Sequence, residues 1–316
     1  MTSHKGFDKI KIEDSKDKNM RVAIIGVGKL GSIHLRIYKE IKGIRKIYIV
    51  DTNPAALSAH PDIESFSDFK QLAGKVDMVS IASSTPTHFE ISKFFLNHKI
   101  PVLVEKPLTE NPNHARQLIN LSKNKKTLLF VGHVERYNNA YLEAKKIIKN
   151  PLFIECHRLS VYPNRSLDTS VVLDLMIHDL DIILDLVKDK VKRCEVKGVK
   201  VLSPTDDIAN ARVTFKRGCV ADITASRISA KRERKIRIFL PHCYISLDYA
   251  EQQVEIYQKL KKEITREVLP ISKEEPLKKE IAEFVSLVRN KHFTIEHAQK
   301  AKDALMLALH IEKSLK

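Results

Sequence analysis

An apolar run over residues 21–26 leads directly into Gly26-Val-Gly-Lys-Leu-Gly31, and a helical pattern follows over residues 30–41. Glycines at the first, third and sixth positions between a strand and a helix answer three separate backbone demands. Gly26 permits the tight turn, Gly28 lets a phosphate approach the main chain, and Gly31 lets the helix lie close on the sheet. With Lys29 and Leu30, these residues present the N–H groups of the first helical turn to a pyrophosphate, where the helix dipole adds partial positive charge. A second apolar run, over residues 46–51, ends at Asp51. A carboxylate at that strand end accepts hydrogen bonds from both hydroxyls of an adenosine ribose and repels a 2′-phosphate, and Thr52, Asn53 and Pro54 bring no Arg to hold one. Together the turn and the acid predict a dinucleotide site that prefers NAD to NADP.

The same rhythm continues. Strand patterns at 77–82, 102–105 and 127–131 alternate with helical patterns at 86–98 and 113–123, which predicts a parallel sheet with helices on both faces. After Tyr137 the pattern changes. A helix at 139–148, a strand at 153–162 and a strongly apolar helix at 172–187 lead into short strands at 195–202, 209–215, 219–226, 236–240, 244–248 and 254–257, and helices at 275–289 and 295–313 close the chain. Short strands separated by turn residues predict an antiparallel or mixed sheet. The expected fold class is α/β, an N-terminal Rossmann doubly wound parallel sheet plus a C-terminal α+β domain with an open, largely antiparallel sheet. A length of 316 residues suits two domains. The expected division is a flexible extension at 1–19, a dinucleotide-binding domain at 20–135, and a substrate-binding and oligomerisation domain at 136–316.

Composition narrows the function classes. No apolar run reaches the roughly 18 residues of a membrane span, and residues 1–19 are charged throughout rather than carrying an apolar signal core. The chain is therefore expected in the cytoplasm, with no membrane insertion. Cys156, Cys194, Cys219 and Cys243 lie far apart with no CxxC pair, which suggests neither a disulfide framework nor a zinc site, and no metal is expected. A formal net charge of +16 attracts polyanions, yet Lys is spread along the whole chain and no nucleic-acid reader motif accompanies it. Nucleic acid is not expected as a partner. The densest basic cluster, residues 226–235, faces either solvent or a substrate phosphate or pyrophosphate.

Val104-Glu-Lys-Pro-Leu-Thr109 places Glu-Lys-Pro-Leu at the end of a Rossmann strand and resembles the signature of the Gfo/Idh/MocA oxidoreductase family. Ser84-Thr-Pro-Thr-His88 resembles the family's loop beside the nicotinamide ribose, and Gly132-His-Val-Glu-Arg-Tyr-Asn138 the segment that leads into its substrate domain. Leu173-Asp-Leu-Met-Ile-His-Asp-Leu-Asp181 resembles its DxxxH helix, so the resemblance covers residues 20–316. It implies hydride transfer between nicotinamide and one carbon of a sugar-like substrate, cofactor contacts at Thr85, Pro86, Glu105 and Lys106, and assembly as a homodimer or homotetramer. His88 either lines the cofactor cleft or caps a helix. Glu105 and Pro107 shape the turn that presents Lys106, often through a cis bond in that family.

Chemistry bears on the same residues. Asp174 and His178, four apart on a helix, share one face, and Asp181 lies along it one turn later. Met176, Ile177, Leu180, Ile183 and Leu184 supply apolar packing around them. Ionisable groups on an interior helix need a reason, since buried charge is costly unless paired. A substrate pocket is one; the alternative is a hydrogen-bonded core His178 with Asp181 as a pairing partner. Oxidising a secondary alcohol requires a proton acceptor, and His178, with an ordinary pKa of about 6.5, fits. Lys106 then hydrogen-bonds the same hydroxyl and stabilises alkoxide charge. Lys106 beside a positive nicotinamide ring is the other candidate base, and both readings stay open. Asp174 holds a neighbouring substrate hydroxyl.

Relatives that oxidise inositols or free sugars often carry a Gly-rich stretch before the catalytic Asp, and Thr169-Ser-Val-Val-Leu-Asp174 departs from it. Residues 171–184 and 249–257 more closely resemble bacterial sugar-nucleotide 3-dehydrogenases, those acting on UDP-N-acetylglucosamine in lipid A biosynthesis. That resemblance implies oxidation at C3 to a 3-keto sugar nucleotide. Arg136, Arg158, Arg165 and Tyr162 are each either a contact for the diphosphate and uracil or a surface residue. An inositol or free-sugar dehydrogenase and a non-catalytic NAD-binding regulator are the alternatives, and the joint presence of Lys106, Asp174 and His178 argues against the regulator.

Overall fold

The computed structural model describes residues 19–162, 169–261 and 263–315. Residues 1–18, most of the expected extension, lie outside them. Six parallel strands form the first sheet: β1 (Met20–Ile25), β2 (Ile44–Val50), β3 (Ser65–Phe66), β4 (Met78–Ile81), β5 (Val102–Glu105) and β6 (Leu129–Gly132), in the order β3-β2-β1-β4-β5-β6. Helices α1 (Lys29–Glu40), α2 (Pro54–Ser58), α3 (His88–Asn97) and α4 (Pro112–Lys125) form the crossovers. Covered on both faces, β4, β5 and β6 are buried at every position and read as apolar runs interrupted only by Ser80, Glu105 and Gly132. Strand order reverses between β1 and β4, which opens a crevice at their carboxyl ends.

The second half comprises α5 (Asn139–Ile147), β7 (Phe153–Leu159), a π-turn at Val172–Met176, α6 (Ile177–Val187), β8 (Val191–Val199), β9 (Ile208–Phe215), β10 (Val220–Ser226), β11 (Glu233–Phe239), β12 (Cys243–Asp248), β13 (Gln253–Leu260) and β14 (Glu263–Val268). Its eight strands run β14-β13-β12-β11-β7-β10-β9-β8. All neighbours are antiparallel except β7 and β10. Alternation buries one face: Ile154, Cys156, Ile223, Ile236 and Ile238 pack with Ile177, Leu180 and Ile183 of α6. The opposite face carries a ladder of rings, Phe153, Phe239, Tyr244 and Tyr257, with successive centroids 5.6, 5.4 and 4.5 Å apart.

The elements depart from expectation in several places. The helix expected over 172–187 opens as a π-turn, β7 stops at Leu159, and β8 spans Val191–Val199 rather than 195–202. The edge strand β14 was not legible, because Glu263, Arg266 and Glu267 break any apolar alternation and Ile264 is 81% exposed.

The division at 135/136 also fails to separate the packing. Helix α7 (Pro276–Arg289) sends Ile281, Phe284 and Val285 back into the core built on Val22, Ile24, Leu35 and Tyr38. Helix α8 (Glu296–Ser314) buries Ala298, Ala301 and Leu305 against the parallel sheet, and Ala304, Leu307, Ala308 and Ile311 against the second one. Small residues let one helix serve both layers. No described helix is long and apolar enough to cross a membrane.

Candidate active site

The crevice is a cleft of about 580 Å³ walled by Gly26, Gly28, Asp51, Phe69, Pro86 and Ile91, among others. Gly26 has φ +86°, and a Cβ there would lie 2.7 Å from the Ser83 backbone. A Cβ on Gly31 would sit 1.8 Å from the Gly26 carbonyl oxygen, so helix and turn touch main chain to main chain. Over Gly28 the space is open, and no side chain caps α1. Lys29 and Leu30 are exposed in its first turn. Uncapped N–H groups facing open space suit a pyrophosphate. Asp51 accepts hydrogen bonds from the backbone N–H of Val27 and of Asn53, both at 2.9 Å, which hold its carboxylate in the cleft wall. A carboxylate oxygen has more than one lone pair, so capacity remains for a ribose hydroxyl. The chain's own groups therefore fit a dinucleotide.

Thr85 opens a 3-10 turn, Thr85–Thr87, of which Pro86 and Thr87 reach the wall. His88 does not line the cleft. It is buried, its Nδ1 3.0 Å from the Pro107 carbonyl oxygen and its Nε2 3.1 Å from that of Ser83, and burial lowers its pKa. A neutral ring donates to one of these carbonyls at a time. The imidazole thus ties the loop after β4 to the turn after β5. Glu105, expected at the cofactor, is likewise turned inward, with Oε1 2.9 Å from Nε2 of the buried His34.

Lys106 follows β5, and its peptide bond to Pro107 is cis. Its Nζ donates to the Asp174 carbonyl at 2.7 Å and to Asp174 Oδ1 at 3.2 Å, joining the first sheet to the π-turn. Wide turns of this type recur at functional sites. Two of the three ammonium donors are engaged, which leaves one for a substrate oxygen. His178 lies in the first turn of α6, its Nδ1 buried without a hydrogen-bond partner. Burial holds its pKa well below the ordinary 6.5, and the charges of Lys106 and Arg158 push the same way. The imidazole is accordingly neutral near pH 7. His133, at the end of β6, is also buried, with Nδ1 3.5 Å from Asp181 Oδ2, an electrostatic contact rather than a hydrogen bond.

The arginines expected at a substrate diphosphate require correction. Arg136 donates from Nε and Nη2 to Asp181 at 2.6 and 2.8 Å, and its Nη1 lies 3.0 Å from Asp185 Oδ1. Asp185 also receives Tyr141 and Lys145. Arg158, 3% exposed, donates to both oxygens of Asp179 at 2.8 and 3.0 Å and to Glu135 Oε1 at 2.9 Å. A buried guanidinium must be paired, and these pairs engage the donors that a phosphate would need. Tyr162 is half-buried with its hydroxyl 3.2 Å from Ser203 Oγ, and Arg165 lies outside the described residues. His34, Glu135 and Asp179 were missed, and Arg234 was noticed only within the basic cluster. A polar residue on an otherwise apolar helix stripe, as at His34 between Gly31 and Tyr38, was the available signal.

Two family models match the chain: the oxidoreductase family with NAD-binding Rossmann fold over residues 20–133, and the GFO/IDH/MocA C-terminal domain over residues 150–245. The UDP-N-acetylglucosamine 3-dehydrogenase of Acidithiobacillus ferrooxidans is 33% identical over 76% of this chain and 78% of its own length. The inositol 2-dehydrogenase of Rhodococcus erythropolis is 27% identical over 60% of this chain and 58% of its own length. A crystal form of the Acidithiobacillus enzyme superposes with a TM-score of 0.87 at 29% identity, covering 94% of this chain and 97% of that one.

Proposed function

Because the chain belongs to the Gfo/Idh/MocA oxidoreductase family, we propose that it uses NAD to oxidise a secondary hydroxyl of a sugar nucleotide, at C3 of UDP-N-acetylglucosamine. The observation that carries the reaction class is Lys106 held against Asp174, with the neutral His178 four residues on and within reach of the Lys106 charge. Likeness carries the substrate, since the sugar-nucleotide enzyme matches more of the chain at higher identity than the inositol enzyme does. Bound in the cleft, the dinucleotide supplies a hydride acceptor. Lys106, fixed by Asp174 with one donor remaining, orients the reacting hydroxyl and stabilises negative charge that develops on its oxygen. The neutral His178 accepts the departing proton. The outer oxygen of Asp174 holds a neighbouring hydroxyl.

Preference for NAD over NADP rests on Asp51, whose fixed carboxylate would repel a 2′-phosphate. Assembly as a homo-oligomer is supported by the ring ladder on the uncovered face of the eight-stranded sheet.

Purified protein with NAD, assayed for NADH against UDP-N-acetylglucosamine, its 3-deoxy analogue, N-acetylglucosamine and inositol, tests the proposal. Turnover of the sugar nucleotide alone is expected, absent with the 3-deoxy analogue and reduced by about a hundredfold or more in Lys106→Ala. Turnover of inositol without turnover of the sugar nucleotide would overturn the substrate assignment. An NADP preference that Asp51→Ala leaves unchanged would overturn the role of Asp51.

A further inference from the structure

Antiparallel pairing of β7 and β11 sets Arg158 directly opposite Arg234. Alternation places Arg158 with Ile154 and Cys156, and Arg234 with Ile236 and Ile238, on the face that packs against α6. Like charges opposite one another across strands repel, so the pair needs counter-charge. Two carboxylates stand near, Asp179 and Glu135. Both oxygens of Asp179 accept hydrogen bonds from Arg158. Glu135 Oε1 lies 2.9 Å from Arg158 but 3.8 Å from Arg234. One oxygen therefore serves two guanidiniums, and Arg158 has the hydrogen bond. Among the described residues the Arg234 guanidinium makes no hydrogen bond, and it is 43% exposed. Its charge nevertheless reaches the His178 imidazole, and Lys231 and Arg232 stand exposed beside it in the chain.

We infer that Arg234 is the seat of an anionic group of the substrate, a phosphate or diphosphate, at the rim of the site. A planar fork with unengaged donors matches phosphate oxygens in pairs, and Arg158 beneath, locked and neutralised by Asp179 and Glu135, supplies a rigid floor. Burial and the Arg158 charge lower the pKa of Arg234. The inference rests on the proposed function only in attaching the anion to the sugar.

The test is calorimetric titration of UDP and of inorganic diphosphate into protein saturated with NADH, which keeps the cofactor's own pyrophosphate site closed. Wild type, Arg234→Gln, Arg234→Lys and Arg237→Gln are compared; Arg237 pairs with Glu155 on the other face of the sheet. Binding is expected to weaken by about tenfold or more in Arg234→Gln, corresponding to a lost charge-assisted contact. It should recover in part in Arg234→Lys, which keeps the charge without the fork, and hold in Arg237→Gln. The KM for UDP-N-acetylglucosamine should rise more than kcat falls. NADH binding by each variant reports folding, and the Lys variant carries the test if the Gln variant fails to fold. Equal affinity in wild type and Arg234 variants, or no binding of either probe by wild type, overturns the inference. Arg234-dependent UDP binding without turnover of the sugar nucleotide would instead retain the anion seat and reject the proposed substrate.

Discussion

A buried imidazole supports the lysine turn from below. His34 Nδ1 lies 2.8 Å from Ser80 Oγ and its Nε2 2.9 Å from Glu105 Oε1. On the other side the Glu105 carboxylate presses against Gly132, where a Cβ would come within 3.0 to 3.1 Å of it. Lys106 is the next residue, so its placement inherits this rigidity. Replacing His34 by Leu leaves the carboxylate buried without that partner, at a cost of about 1–3 kcal/mol. A turn displaced by even ~1 Å is expected to lower kcat by about 10- to 100-fold while NAD still binds. Denaturant midpoints and steady-state kinetics measure the two effects, and an unchanged kcat would mean that the Lys106 turn holds itself. His178 carries a separate expectation. With its folded pKa well below 6.5, the acid limb of kcat/KM should fall below about pH 6.5. An acid limb at or above that value counts against His178 as the proton acceptor.

Between β1 and α1, neighbouring glycines do different work. The Cβ of Gly31→Ala meets the Gly26 carbonyl, a main-chain atom that cannot swing aside. Helix α1 must shift, which costs about 1–3 kcal/mol and moves the N–H groups that face the pyrophosphate. Gly28 has φ −66° and open space around its Cβ direction. Gly28→Ala is therefore expected to leave stability within about 0.5 kcal/mol yet weaken NAD by about tenfold or more, because the methyl occupies space that the phosphates need. Thermal melts with and without NAD separate the two variants. Equal loss of stability in both would show that Gly28, too, serves packing. Helix α6 carries a comparable division of labour: His178 is the proposed proton acceptor, while Asp179, Asp181 and Asp185 each hold a cation.

Across the whole molecule, burial of imidazoles sets a pH dependence. His88, His133 and His178 have pKa values pushed below 6.5 by burial, and His297 is lowered to about 4. Below about pH 6.5 the unfolded chain binds protons there that the folded chain refuses, so stability falls as pH falls through that window. Each imidazole contributes up to about 1.4 kcal/mol per pH unit. Glu280, buried and pushed well above the usual carboxylate range, works in the opposite sense, and Glu283 and Asp179 are raised less. Four imidazoles outweigh the one strongly raised carboxyl. The urea midpoint is expected to be lower at about pH 5.5 than at about pH 7.5; a flat profile would mean that the folded chain protonates these rings. Since α8 packs on both sheets, the two halves should melt in one transition rather than two.

The sequence alone determined what local backbone geometry demands. Gly26, Gly28 and Gly31, with Asp51 ending the next strand, can be read because a phosphate turn imposes its residue types over a short span of chain. The alternation of strands and helices, the Glu105–Pro107 turn and the Asp174–His178 spacing are local in the same way. Only the tertiary structure decided which charges are available. Arg136 and Arg158 look like substrate contacts until packing brings Asp179, Asp181 and Asp185 of α6, and Glu135 of the turn after β6, against them. Arg234 stands out from its basic neighbours only because register sets it opposite an arginine already paired. His88 declares its role only through carbonyls of the loops after β4 and β5, and His34 only through the carboxylate at the end of β5. Pairing at long range depends on which surfaces the core brings together, and no spacing along the chain encodes it.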